Sequence, residues 1–136
     1  MPRLDHVLET SLYFDDLDAA QRFYEQVLGL KAIFNDQRLH AYALGKTVLL
    51  LFLRGSSLET LHLPGGTIPP HDGAGQVHVA FAVAKDELPV WERHLAEHGV
   101  AIEGRTEWPK GGVSIYFRDS GGHLLELATP GLWVNY

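Results

Sequence analysis

Apolar and polar positions alternate, then recur at helical spacing, then alternate again, and the chain runs through this cycle twice. Residues 7–14 put Glu9, Ser11 and Tyr13 on one face and Leu8, Thr10, Leu12 and Phe14 on the other, the two-residue period of a strand. Asp15-Asp16 offers a helix N-cap, Leu17, Ala20, Phe23, Val27 and Leu28 recur at helical spacing, and Gly29 supplies the stop. Strand-like pieces follow at about 30–35, 38–44 and 46–54, split by Asn35-Asp36 and by Gly45. The second half repeats the order. A strand at 77–84 precedes a helix from about Asp86 that carries Leu88, Trp91 and Leu95, takes Pro89 into its first turn and stops at Gly99. Pieces at about 100–107, 112–118 and 123–128 complete it. Gly29-Leu30 and Gly99-Val100 hold the same place in each half, so an internal repeat of about 70 residues is expected from shared pattern.

The pattern therefore predicts one α+β domain. Unit one spans about 5–54, a Gly-, Ser- and Pro-rich linker 55–76, unit two about 77–128 and an apolar tail 129–136. The linker reads as a connection that also serves as a flap over a site. The tail residues Leu132, Trp133, Val134 and Tyr136 are too apolar to dangle, and they predict docking on this subunit or on a second copy, with a homodimer expected.

Composition narrows the chemistry. A 136-residue domain buries roughly two-thirds of its unfolded surface and needs no staple. There are no cysteines, which removes disulfides, thiolate metal sites and a cysteine nucleophile. The formal charge of −6 argues against nucleic acid as a partner. No apolar run approaches the roughly 20 residues of a spanning helix, and Met1-Pro2-Arg3-Leu4-Asp5-His6 lacks the apolar core of a signal peptide. No membrane partner is expected, and the cytoplasm is the expected compartment. No Gly-rich phosphate loop or Ser-His-Asp pattern is present.

Two segments carry a resemblance. Asp16-Leu17-Asp18-Ala19-Ala20-Gln21-Arg22-Phe23-Tyr24 followed by Val27-Leu28-Gly29-Leu30 resembles the first helix of the vicinal oxygen chelate superfamily. Tyr116-Phe117-Arg118-Asp119-Ser120-Gly121-Gly122-His123-Leu124-Leu125-Glu126-Leu127 is similar to its closing hairpin. That superfamily contains glyoxalase I, extradiol dioxygenases, fosfomycin-resistance thiol transferases and bleomycin-binding proteins. The resemblance implies two tandem βαβββ units forming a cup-shaped mixed sheet with the helices outside. It also implies metal ligands on the first and last strands of the units. Those places fall on Glu9, where many members have histidine, on His78 and on Glu126, while the fourth place is Leu50, which cannot bind metal.

The residues give their own reading of the same faces. In the fifth major strand His78, Ala80 and Ala82 oppose Val77, Val79, Phe81 and Val83, and in the last Glu126 opposes Leu125 and Leu127. The more apolar faces belong under helices, which leaves Glu9, His78 and Glu126 on the other side among small neighbours. Buried carboxylates need a partner or a metal, and two close together conflict unless a cation joins them. One imidazole and two carboxylates suit a divalent ion such as Fe, Mn, Ni, Co or Zn; a hydrogen-bonded trio without metal is the alternative. Arg38, His40 and Tyr42 share a strand face that holds a polar or anionic substrate if it is interior, and faces solvent if the register is off by one. Phe52 supplies an apolar wall, Tyr116 a hydrogen-bond donor, and Trp108 lines the mouth or packs on the tail. His94 and His98 read as solvated residues near a helix C-terminus, His123 as a turn residue, and His62 and His71 as chance placements in the linker.

Two functions follow as expectations. One is a metal-dependent enzyme of the glyoxalase or dioxygenase type, in which a small substrate chelates the ion through neighbouring oxygens and Glu126, Glu9 and Tyr116 handle protons. Lyase or isomerase, dioxygenase and thiol transferase chemistry all fit it. The other is a non-catalytic binding protein that sequesters a drug or metabolite.

Overall fold

The computed structural model describes residues 1–136 and divides into two compact units, Met1–Ala74 and Gly75–Tyr136. In the first, β1 (Glu9–Phe14) leads into α1 (Leu17–Arg22), which continues as one π-type turn, Phe23–Val27. The strands β2 (Ala32–Asn35), β3 (Leu39–Leu44) and β4 (Thr47–Leu53) follow. They form a mixed sheet of order β1-β4-β3-β2, with β1 parallel to β4 and the other pairs antiparallel. The Asp16 side chain caps the helix by accepting from the Ala19 N–H at 2.9 Å, as its position before the apolar repeat predicts. The π-type turn shifts the buried stripe. Tyr24 and Leu28 are buried, whereas Phe23 and Val27 are only half-buried, because the wider turn rotates the later residues relative to a regular 3.6-residue helix. Tyr24 stacks on Tyr42 with ring centroids 6.4 Å apart, and the Tyr42 hydroxyl donates to Glu25 at 3.1 Å. Burial first, then the Glu25 carboxylate, push the Tyr42 hydroxyl far above its ordinary pKa.

The segment after β4 is not a bare linker. It folds as a hairpin of β5 (Leu61–Leu63) and β6 (Gly66–Ile68), and it returns to unit one. Arg54 pairs with Asp15 at 2.6 Å, the Asp72 carboxylate accepts the Gly55 N–H, and the His71 N–H bonds the Ser57 carbonyl at 2.9 Å. A Cβ on Gly73 would lie 2.6 Å from a Tyr13 ring carbon, so a glycine is what lets the segment lie flat on β1.

Unit two repeats the plan. It comprises β7 (His78–Ala82), α2 (Leu88–Glu97), β8 (Gly104–Glu107), β9 (Val113–Arg118) and β10 (Leu124–Ala128), with sheet order β7-β10-β9-β8. The helix begins at Leu88, with Pro89 in its first turn where a missing N–H costs nothing. Gly99, at φ 69°, ends it and lets the Val100 N–H close on the Leu95 carbonyl at 2.9 Å. Residues 100–103, expected as strand, are irregular; the Glu103 N–H bonds the Tyr116 carbonyl at 2.8 Å, and the regular register with β9 starts at Gly104. Leu88, Leu95, Ile115, Phe117, Leu125 and Leu127 are buried. The tail is anchored by the Tyr136 hydroxyl, which donates to the Ala128 and Val83 carbonyls at 2.8 and 3.2 Å, while Trp133 and Val134 stay exposed. No helix is long and apolar enough to cross a membrane.

Leu95 is fully buried at the heart of unit two. Leu95→Ala is expected to cost about 2–5 kcal/mol of unfolding free energy in urea, through lost transfer energy plus a cavity. A loss below about 1 kcal/mol would place Leu95 outside the core.

Candidate metal centre and the pocket of unit one

Unit two brings together four of the residues singled out by sequence. β10 lies between β7, its parallel partner, and β9, its antiparallel one, so Glu126 has polar neighbours on both flanks. Its register partners are Ala80 and Tyr116, and His78 lies two positions along opposite Leu124. The side chains of His78 and Glu126 therefore share a face, and the imidazole Nε2 sits 3.0 Å from Glu126 Oε2. The other imidazole nitrogen, Nδ1, is 2.9 Å from the Leu124 carbonyl. A carbonyl only accepts, so Nδ1 carries a proton, and Nε2 turns its lone pair toward the carboxylate unless the ring is doubly protonated.

That geometry tests the donor set. An imidazole lone pair and a carboxylate oxygen 3.0 Å apart repel unless a positive charge joins them. The charge can be a proton, giving imidazolium, or a divalent ion that His78 and Glu126 would hold together. Glu126 is only 5 % exposed, so its charge cannot be left to bulk water. The Ser114 hydroxyl donates to Oε1, and the Trp108 indole N–H donates to Ser114 Oγ at 2.8 Å. Trp108 and Ser114 thus form a two-step support that fixes the carboxylate's direction, as outer partners of metal-binding carboxylates do. Tyr116 stands over the same face, its ring 6.3 Å from that of His78. The pair and its supports fit a divalent ion that takes one imidazole nitrogen and one carboxylate from this unit. Neither unit by itself holds three or more His, Asp or Glu side chains within metal-holding reach.

Glu9 belongs to unit one. It is exposed at the start of β1 and lines a cavity of about 710 Å³ between the sheet and the returned segment. Ser11, Tyr13, Leu50 and Phe52 share that wall, with Tyr13 and Phe52 stacked at 5.7 Å. Arg38 reaches the cavity, its guanidinium 5.5 Å from the Phe52 ring centroid and bonded to Ser57 Oγ at 3.0 Å.

His40 does not reach it and does not face solvent, so it takes neither of the two placements expected for it, a substrate-holding interior face or a solvent face. His40 pairs with Leu51 in β3, while the neighbouring pair, Leu39 and Phe52, faces the cavity; His40 is therefore buried on the opposite face, with Tyr42 beneath α1. Its Nδ1 has no hydrogen-bond partner. Arg38 escapes the alternation because it precedes the strand, in a turn where the Asp36 carboxylate accepts the Arg38 and Leu39 N–H groups, both at 2.8 Å.

His71, read from sequence as a chance placement, is part of the cavity. Its Nδ1 lies 2.6 Å from the Tyr13 hydroxyl and its ring meets Phe52 edge-on at 4.7 Å. The only local signal was a stiff Pro69-Pro70 before it and Gly73 after it. His123 is locked in its turn, with Nδ1 2.8 Å from an Asp119 oxygen whose partner accepts the Gly121 and His123 N–H groups. His98 Nδ1 donates to the His94 carbonyl at the end of α2, the helix-terminal role expected of it.

Comparison with known proteins agrees with this architecture. The family model of the Glyoxalase/Bleomycin resistance protein/Dioxygenase superfamily matches residues 3–127. Metallothiol transferase FosB of Bacillus licheniformis is 30% identical over 115 residues, covering 84% of this chain and 68% of that protein. Metallothiol transferase FosB of Staphylococcus haemolyticus is 31% identical over 111 residues, covering 81% of this chain and 73% of its own length. Among solved structures, lactoylglutathione lyase from Agrobacterium tumefaciens superposes with a TM-score of 0.88 at 32% identity, covering 98% of this chain and 99% of that one. With the family matched over nearly the whole sequence and the two βαβββ units in place, the chain belongs to the glyoxalase/bleomycin resistance protein/dioxygenase superfamily.

Proposed function

We propose that this protein is a metal-dependent enzyme acting on a small oxygenated molecule, with His78 and Glu126 of unit two as protein ligands of the metal and Glu9 as the candidate ligand that unit one offers. The observation that carries the reading is the His78–Glu126 pair, an oriented imidazole and a buried carboxylate that need a positive charge between them. Glu9 is a candidate through the repeat: β1 pairs with β4 as β7 pairs with β10, so Glu9 holds in unit one the place of His78, and Leu50 that of Glu126. A bound divalent ion would supply Lewis-acid stabilisation of an oxyanion on the substrate. The chain's own residues do the rest. Ser114 and Trp108 hold Glu126 in one direction, and Tyr116 presents a donor over the same face. The relatives named as metallothiol transferase and lactoylglutathione lyase favour thiol transfer or lyase chemistry over dioxygenation. The competing reading, a non-catalytic binding protein, draws on the aromatic-walled cavity of unit one.

Metal analysis of protein purified without chelator or histidine tag separates the two. Bound divalent metal near one per site is expected, and Glu126→Gln should weaken metal affinity at least about tenfold while the folding midpoint moves little, because the isosteric amide keeps the packing. Equal metal content in parent and variant would show that Glu126 is not a ligand. If Glu9→Gln alone retains full content, the third ligand lies elsewhere. Ser114→Ala should weaken metal affinity by a smaller factor than Glu126→Gln.

We also infer a homodimer. Trp133 and Val134 are 68% and 94% exposed beside a tail that is otherwise anchored, and Val7, Leu8 and Phe34 are exposed as well. A C2 interface of at least about 1,000 Å² would cover such residues. Light scattering at micromolar protein should give twice the 15.1 kDa chain mass, and deleting residues 130–136 should shift the assembly toward monomer. A mass near that of one chain for the parent excludes the dimer.

A further inference from the structure

We propose that the cavity of unit one is a recognition site for a planar organic carboxylate, with Arg38 taking the carboxylate and Tyr13, Phe52 and His71 flanking the planar part. This deepens the reading above, on which it rests for the role of Glu9, by naming what the far end of the substrate carries.

The cavity is polarised along one strand face. Glu9 and Tyr13 both line it, four residues apart on β1, which separates them by about 13 Å at strand rise. Arg38 stands at the Tyr13 end, because Tyr13 pairs with Phe52, Phe52 pairs with Leu39, and Arg38 precedes Leu39; a second carboxylate, Glu59, lines the cavity as well but forms no ion pair with it. One Arg38 nitrogen is committed to Ser57 Oγ, and no carboxylate lies within 4.0 Å of the guanidinium. Most of its planar fork is left for a ligand, and a fork of this shape matches a carboxylate with two parallel hydrogen bonds. Stacking on Phe52 holds the fork in orientation, so little side-chain entropy remains to be lost on binding.

The returned segment completes the site. Tyr13 and His71 are joined at 2.6 Å, and the Tyr13 hydroxyl is raised above its ordinary pKa chiefly by burial, with a Ser11 hydrogen bond opposing and Asp72 adding to the rise. If Tyr13 donates to Nδ1, the imidazole presents its Nε2–H; if the imidazole donates, Tyr13 keeps its own O–H. Either tautomer leaves one donor for a ligand. Tyr13 and Phe52 stack at 5.7 Å, and His71 meets both rings edge-on at 5.7 and 4.7 Å, an aromatic corner against which a planar group can lie.

Three probes test the proposal on full-length protein treated with chelator, which removes the metal question: benzoate, benzyl alcohol and acetate, each titrated while backbone amide shifts are followed by NMR. Benzoate should bind at least about tenfold more tightly than benzyl alcohol, which lacks the charge, and than acetate, which lacks the ring. The amides of residues 38, 57 and 71 should move most. Arg38→Met should lose at least about tenfold in benzoate affinity, Arg38→Lys should lose less, and His71→Asn should weaken benzoate without altering the acetate titration. The inference is overturned if benzoate binds no better than both controls, if it fails to bind while soluble, or if folded Arg38→Met binds it as the parent does. Loss of metal in Glu126→Gln with benzoate binding intact would support both readings, whereas benzoate binding in a protein that never takes metal would sustain this site and sink the metal centre.

Discussion

The constraint that organises unit two is the burial of the Glu126 carboxylate. A charge removed from water is tolerated only where the protein supplies donors or a cation, and Glu126 has a hydroxyl donor on one flank and an imidazole on the other because β10 is an inner strand of its sheet. β9 delivers Ser114 on one side, backed by Trp108, and β7 delivers His78 on the other. The same strand buries Leu125 and Leu127 beneath the helix side. A slip of one residue would send Glu126 into the apolar core and those leucines to the open face, so the hydrophobic pattern that folds the sheet also holds the register of the candidate site.

Unit one uses the same topology for another purpose. Where β10 carries Glu126, the matching place on β4 is Leu50, and the strand face around it is aromatic. With no buried charge to satisfy there, the face can be walled by Tyr13 and Phe52 and roofed by the segment that brings back His71. The single strong cation of that cavity, Arg38, stands in a turn, not in a strand, and so is free of the face alternation that takes His40 into the core. Two halves built on one pattern thus yield a polar pair in one and an aromatic cavity with Arg38 at one end in the other.

The strand faces of β1, β7 and β10, the caps at Asp16 and Gly99 and the two-fold βαβββ order were legible in the sequence, because each depends on residues within a few positions of one another. His78, Glu126, Tyr116 and Trp108 were legible as candidates for the same reason, each on a face or loop that its neighbours define. Three features were settled only by tertiary structure. The register of β3 against β4 decided that His40 is core and not ligand. The π-type turn after α1 put Tyr24 in place of Phe23 against the sheet. The return of the segment after β4 set His71 on Tyr13 across 58 positions of sequence. Local pattern fixes which face a residue takes; it does not contain the long-range pairing and chain reversal that decide what that face meets.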